Sequence, residues 1–219
     1  MKAGALLLGF GMLLGAATAP ASAASILLDQ GLTTLDPGTQ LEWLDLSQTQ
    51  GKSYNEVAAG YGGYTSSGWR FATREELYQL FTDAGGGGTY PETTITTGNN
   101  PTYETALRLA LLLGTTDIGS SADILTFSGL GYLADFRVSS SGIEHFVGFF
   151  VGTLMTGQVE GDLGVPMSRR ADMAYPFIGS YLVRNAVATT PLPAALPLFL
   201  SALVGLGFAA SRRRKGGAG

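Results

Sequence analysis

Two apolar ends enclose all the acidic charge of this chain, and they leave only residues 24 to about 187 to build a water-facing domain. The 17 acidic residues all lie between Asp29 and Asp172, while Lys2 and Arg212, Arg213, Arg214 and Lys215 supply five of the 13 cations. The segment between the ends therefore carries 8 minus 17, or −9. Such a surface repels a phosphate backbone, so nucleic acid is not expected as a partner. A middle segment of this length suits one ordinary domain. The chain has no cysteine, which removes disulfides, thiolate metal sites and a cysteine nucleophile together.

The N-terminal end reads MKAGALLLGFGMLLGAATAPASAA. Lys2 forms a minimal positive region, Ala5 to Ala17 is apolar, and Ala21-Ser22-Ala23 is a small-residue cleavage signal at the right distance. Residues 1–23 are thus expected to be a signal peptide, with the mature chain beginning at Ala24 or Ser25. The C-terminal end is an apolar run from Leu192 to Ala210, 19 residues long, followed by Arg212-Arg213-Arg214-Lys215. At about 1.5 Å per residue it reaches roughly 28 Å, close to the hydrocarbon thickness of a bilayer. Pro193 and Pro197 fall in its first turns, where a missing amide donor does least harm. A transmembrane helix over 194–210 is expected, with the basic end 212–215 as the stop on the cytoplasmic side. Lys2 at the other end predicts the same topology.

The order of Pro191-Leu192-Pro193, apolar helix and basic end resembles the PEP-CTERM sorting signal of Gram-negative bacteria, in its Pro-Leu-Pro variant. The likeness covers about the last 30 residues, 188–219. Leu192 stands where the usual motif has glutamate. The resemblance implies export across the inner membrane, transient anchoring there, and processing by an exosortase-type enzyme. The mature protein would then reside at the cell surface or outside the cell. It also implies an association with exopolysaccharide and biofilm. A removable apolar tail of this kind leaves no span in the mature chain.

The middle segment alternates turn signals with short periodic runs. Asp36-Pro37-Gly38 reads as a turn with Gly38 free to take positive φ, and the residues after Gln40 alternate as a strand. Ser53-Tyr54-Asn55-Glu56 and Thr73-Arg74-Glu75-Glu76 both have capping-box spacing. They predict a short helix ending near Gly60 and a second helix carrying Leu77, Leu80 and Phe81 on one face. Gly85 to Gly88 ends that helix, and the Thr-, Gly- and Asn-rich run to Asn100 reads as a loop. Asn100-Pro101 then opens a core helix that stops at Gly114. Beyond it, ILTF, GYLADFRV, IEHFVGFFVG and FIGSYLVR read as strands separated by Gly/Ser turns. Short early helices and late strands predict an α+β fold with an antiparallel sheet.

Within this segment GWRFATREEL, Gly68 to Leu77, resembles the W-R-x-x-T-x-x-E-L stretch of bacterial C-type-lectin-like domains. The resemblance implies a buried Trp69, a helix capped by Thr73 and a closing strand near Ser180 to Arg184. The calcium-site tripeptides of sugar-binding lectins have no counterpart here, so calcium is not carried over.

Little in the segment predicts catalysis. His145 is the single histidine and shares a strand face with Ile143, Val147, Phe149 and Val151, which predicts a hydrogen-bonded ring at a core edge. No nucleophile elbow accompanies it. Glu75 and Glu76 sit in a first helical turn, where acid favours the dipole. Glu160-Gly161-Asp162 reads as a turn rather than a calcium loop, and Gly85–Gly88 lacks the Lys-Ser/Thr of a phosphate loop. No metal or cofactor is expected. Tyr61, Tyr64, Tyr90 and Tyr103 lie in or near Gly/Thr-rich stretches and offer rings for a ligand surface such as a polysaccharide. The expectation is a non-catalytic binding or structural role, with a secreted hydrolase using His145 or a carboxylate pair as the alternative.

Overall fold

The computed structural model describes residues 26–121, 123–156 and 158–187. The expected signal peptide, Pro191-Leu192-Pro193 motif, transmembrane helix and basic end lie outside these residues. Among the described residues no helix is long and apolar enough to cross a membrane.

Among the described residues two sheets, three α-helices and three single-turn 3-10 helices make up the domain, a sheet-rich form of the expected α+β class. The first sheet is antiparallel throughout, with β1 (Leu28–Asp29), β2 (Thr33–Asp36), β3 (Leu41–Leu44) and β4 (Arg70–Phe71) joined by the closing strand β11 (Leu182–Asn185). Its order is β1-β2-β3-β11-β4, so the last strand lies between two early ones. The second sheet is mixed. Its strands are β5 (Glu92–Thr96), β6 (Asp117–Ser121), β7 (Ile124–Ser139), β8 (Gly142–Met155), β9 (Gln158–Arg170) and β10 (Gly179–Ser180). The order is β10-β7-β8-β9-β5, with β6 also paired to β7 and with β10 parallel to it.

The helices begin where local capping places them. In α1 (Tyr54–Ala58) and α2 (Arg74–Asp83), Ser53 and Thr73 each accept the N3 amide while Glu56 and Glu76 reach back to the cap amide. A long-range bond is added at α2, where the Arg74 amide donates to Asp135 Oδ2 at 2.7 Å. In α3 (Pro101–Leu113) the Asn100 side chain accepts from the Tyr103 amide, and its own amide group donates to the carbonyls of Thr94 and Val159. Leu77, Leu80 and Phe81 of α2 and Ala106, Leu109 and Leu113 of α3 are buried in one core with Phe127, Phe150 and Leu163 of the second sheet. A second core gathers Val57, Trp69, Phe71, Tyr132, Val147 and Leu182.

Several readings of the sequence are corrected by pairing across the sheets. Glu160-Gly161-Asp162 is no turn but part of the first half of β9, opposite both Thr153-Gly152-Val151 and the Thr-rich β5. Gly161 is there for close approach: a Cβ would overlap the Tyr103 amide nitrogen and lie 2.7 Å from Tyr103 Cα, so α3 rests directly on the strand backbone. The stretch read as a loop up to Asn100 contains β5, whose Thr side chains find hydroxyl and carboxylate partners in Thr102 and Asp162. ILTF and GYLADFRV are one strand of 16 residues. Its glycines do not end it, because Gly129 faces the Phe150 ring and Gly152 of β8 faces the Phe127 ring, each aromatic filling the space its cross-strand glycine leaves. At the Asp36-Pro37-Gly38 turn the left-handed residue is Gln40, with φ 58°, rather than Gly38. Its amide side chain donates to the Pro37 carbonyl at 2.7 Å, and Asp36 Oδ1 accepts from the Gly38 amide, so side-chain bonds hold the turn.

Candidate functional site

His145 lies on β8 at the edge of the second core and is buried, as its place on the strand predicts. Its Nδ1 is 3.0 Å from the Leu133 carbonyl, a position opened by the irregularity in β7 between Tyr132 and Phe136. The ring is covered by Tyr54 at a centroid distance of 3.4 Å and an interplanar angle of 13°, and Tyr54 stacks in turn on Phe71 at 4.0 Å. Burial pushes the His145 pKa below its ordinary value, against the pull of the Leu133 and Ala134 backbone. Ile143, expected on the same buried face, is 54% exposed. The cleft beside the histidine, about 500 Å³, is lined by Tyr54, Asn55, Ser141, Arg170 and Asp172 among others. Asp172 is held by Arg170 through two bonds at 2.7 and 3.0 Å. Ser141 Oγ donates to Glu144. Neither group bonds the imidazole in this geometry, so the cleft presents no Ser–His–Asp relay.

The carboxylates named from the sequence are occupied by structure. Glu76 closes the α2 capping box and receives Arg70 Nη1 at 2.8 Å, and the Arg70 bond leads the causes that lower its pKa. Glu75 is exposed one position away. Glu144 is the most strongly engaged carboxylate: Ser168 and Arg137, then Ser139 and Ser141, hold its pKa down to about 2. Asp45 shows the opposite case. Burial, with the charge of Asp29, raises it to about 6, and its Oδ1 is buried without a hydrogen-bond partner. Among the described residues no group of three or more His, Cys, Asp or Glu is arranged to hold a metal ion.

The four tyrosines do not form one surface. Tyr61 and Tyr64 lie in the turns after α1, where Lys52 Nζ sits 4.7 Å from the Tyr61 ring centre and Tyr64 packs on the second core. Tyr103, in the first turn of α3, packs edge-on against Phe127. Tyr90, between α2 and β5, instead meets Tyr78, a residue the sequence reading passed over because it stands mid-helix. The two rings are 5.0 Å apart and tilted by 30°.

This pair lines an open groove of about 480 Å³ with Glu75, Gln79, Thr82 and Thr89 around it. Tyr78, Gln79 and Thr82 are brought to one side by helical spacing on α2. Tyr90 is fixed from below by Phe81 at 5.3 Å, edge to face. Thr82 Oγ1 donates to the Tyr78 carbonyl at 3.0 Å, which leaves the Tyr90 hydroxyl as donor in its 3.3 Å bond to Thr82. The glycine run has its purpose here. A Cβ on Gly86 would lie 2.9 Å from the Phe81 carbonyl and would overlap the Tyr90 hydroxyl, so only glycine lets the loop pass beneath the ring. Glu92 then ties the loop to α3 by accepting from the Gly87 amide at 2.8 Å and from Thr102 Oγ1 at 2.6 Å. The result is a tethered aromatic floor with hydroxyl, amide and carboxylate groups beside it. That combination matches the alternating apolar faces and hydroxyl rim of a pyranose ring.

Comparison with protein-family models, with curated proteins and with solved structures returns no match for this chain.

Proposed function

We propose that this chain is an exported protein of the bacterial cell surface or extracellular matrix that binds polysaccharide without transforming it. The Tyr78–Tyr90 groove is the single observation that carries the binding part of this reading. A stacked sugar needs flat apolar area held rigid, and both rings pack against the core beneath them. It also needs hydrogen-bonding groups around that area: Thr89 and Gln79 line it, with the Gln79 amide already donating to Asp83 at 2.9 Å and Thr82 tied to Tyr78 and Tyr90. The histidine cleft lends no comparable support to a hydrolase, because its imidazole is committed to a backbone carbonyl and a tyrosine face.

The lectin-like reading of the domain belongs to the same proposal. It is supported by the buried Trp69, by the Thr73 cap and by the pairing of the closing strand β11 with β3 and β4. Sorting rests on sequence alone: the signal peptide, Pro191-Leu192-Pro193, the apolar run and Arg212 to Lys215. Each proline fixes its own φ and turns the preceding residue away from helix, so the motif presents extended backbone for a processing enzyme at the membrane surface.

Two experiments test the two halves. Replacing Tyr78 with Ala should abolish retention of the protein on insoluble glycan while leaving its thermal transition cooperative; retention equal to wild type would remove the groove from the proposal. Replacing Pro191 and Pro193 with Ala should leave the protein exported and anchored at full tail length in the membrane fraction. Trimming as efficient as in wild type would make the tail an ordinary anchor.

A further inference from the structure

The electrostatics of the groove narrow the kind of sugar it can take. Glu75 is exposed beside Tyr78 and enters no ion pair among the described residues. The charges acting on Tyr78 are Arg74, Glu75 and Asp135, and those acting on Tyr90 are Glu92 and Asp83. Four of these five are carboxylates; the one cation, Arg74, acts more strongly on Tyr78 than either carboxylate there, and its guanidinium lies over the Phe146 ring, 4.2 Å from its centre.

The remaining cations of the described domain are similarly engaged. Arg70, Arg137, Arg170 and Arg184 are in ion pairs. Lys52 and Arg169 lie over tyrosine rings, and Arg108 donates to the Ala84 carbonyl at 2.6 Å. A polymer of uronic acid would meet net negative potential and would have to break existing contacts to find a cation. A polymer carrying ammonium groups meets a free carboxylate at the edge of an aromatic floor.

We propose that the groove recognises an amino sugar, a pyranose whose ring face lies against Tyr78 and whose protonated amine pairs with Glu75. This rests on the polysaccharide-binding reading and adds to it the charge class of the glycan. Gln79 and Thr89 face the ring hydroxyls, and the acidic surroundings of Tyr90 favour a second ammonium along the chain.

The test is calorimetric titration of the full-length chain, in detergent at mildly acidic pH, with three oligomers of equal length. These are a glucosamine hexamer, cellohexaose and a galacturonate hexamer. The glucosamine hexamer should bind roughly threefold to fivefold tighter than cellohexaose, the advantage of one exposed ion pair, and the galacturonate should not bind detectably. Glu75→Gln, at an exposed position, should erase that advantage, so that within this variant the glucosamine hexamer binds no tighter than cellohexaose. Cellohexaose or galacturonate binding as tightly as the glucosamine hexamer would overturn the charge assignment while leaving polysaccharide binding in place. So would an advantage that survives in Glu75→Gln, since the amine would then be reading the acidic surface at large. Failure of all three oligomers to bind would overturn the polysaccharide reading as well.

Discussion

Replacing Gly161 with Ala tests the closest contact between helix and sheet. The added methyl would overlap the Tyr103 amide nitrogen and sit 2.7 Å from Tyr103 Cα, where ordinary carbon contacts begin near 3.4 Å. The obstacle is helix backbone, which cannot rotate aside as a side chain would, so α3 must lift from β9. That movement loosens the burial of Thr102, Ala106 and Leu109 and strains the Asn100 bond to the Val159 carbonyl. Overpacking of this kind costs about 1–3 kcal/mol. The gain from a stiffer unfolded chain, at most about 1 kcal/mol, offsets part of it. A net loss of about 1–2 kcal/mol should lower the melting temperature by roughly 2–8 °C in a domain of this size. Gly119→Ala is the matched control, since it lies on edge strand β6 with nothing within 4 Å of its Cβ direction. It should shift stability by less than about 0.5 kcal/mol. Thermal unfolding followed by circular dichroism reads both. Equal melting temperatures for the two variants would refute the close-approach assignment of Gly161 and with it the seating of α3.

Asp45→Asn should stabilise the domain at neutral pH by roughly 1–2 kcal/mol, the shift being discounted for solvent screening, because the folded state raises this carboxyl to about 6 by burial and the Asp29 charge. The sign follows from linkage: a raised carboxyl favours folding below its unfolded pKa, and that stability is lost as pH rises through about 6. The gain from Asn should therefore vanish near pH 3, and denaturant titrations showing a pH-independent difference would contradict it. For His145 the shift is downward, so stability present above its unfolded pKa should be lost as pH falls through the lower folded value. His145→Gln should flatten that acid limb of the pH–stability curve. Thr73→Ala should cost about 1 kcal/mol in the same assays, the usual loss for a cap oxygen, with the Arg74–Asp135 bond keeping α2 in place.

The starts of all three helices were legible in the sequence because a cap is a local contract. Ser53 with Glu56, Thr73 with Glu76, and Asn100 with Pro101 and Tyr103 complete their bonds within a few residues, so spacing alone identifies them. The buried Trp69 was expected from the resemblance carried by residues 68–77, and the core-edge His145 was legible because it lies on a strand with apolar neighbours at the right period. The glycines were not. Gly161 and Gly129 look like turn residues, and Gly152 like a strand end, until the helix or ring that occupies their missing side-chain volume is known, and those partners lie up to 58 residues away, as Tyr103 does from Gly161. β5 was hidden by its polar threonines, whose alternation becomes a strand only once β9 supplies the second row of hydrogen bonds. Of the candidate site, sequence offered Tyr90 among four tyrosines and passed over Tyr78. A residue's turn of helix can be read locally, but which loop folds back across that turn depends on long-range packing. Here that packing is set by Gly86 beneath the Tyr90 ring and by Glu92 clamping the loop to α3.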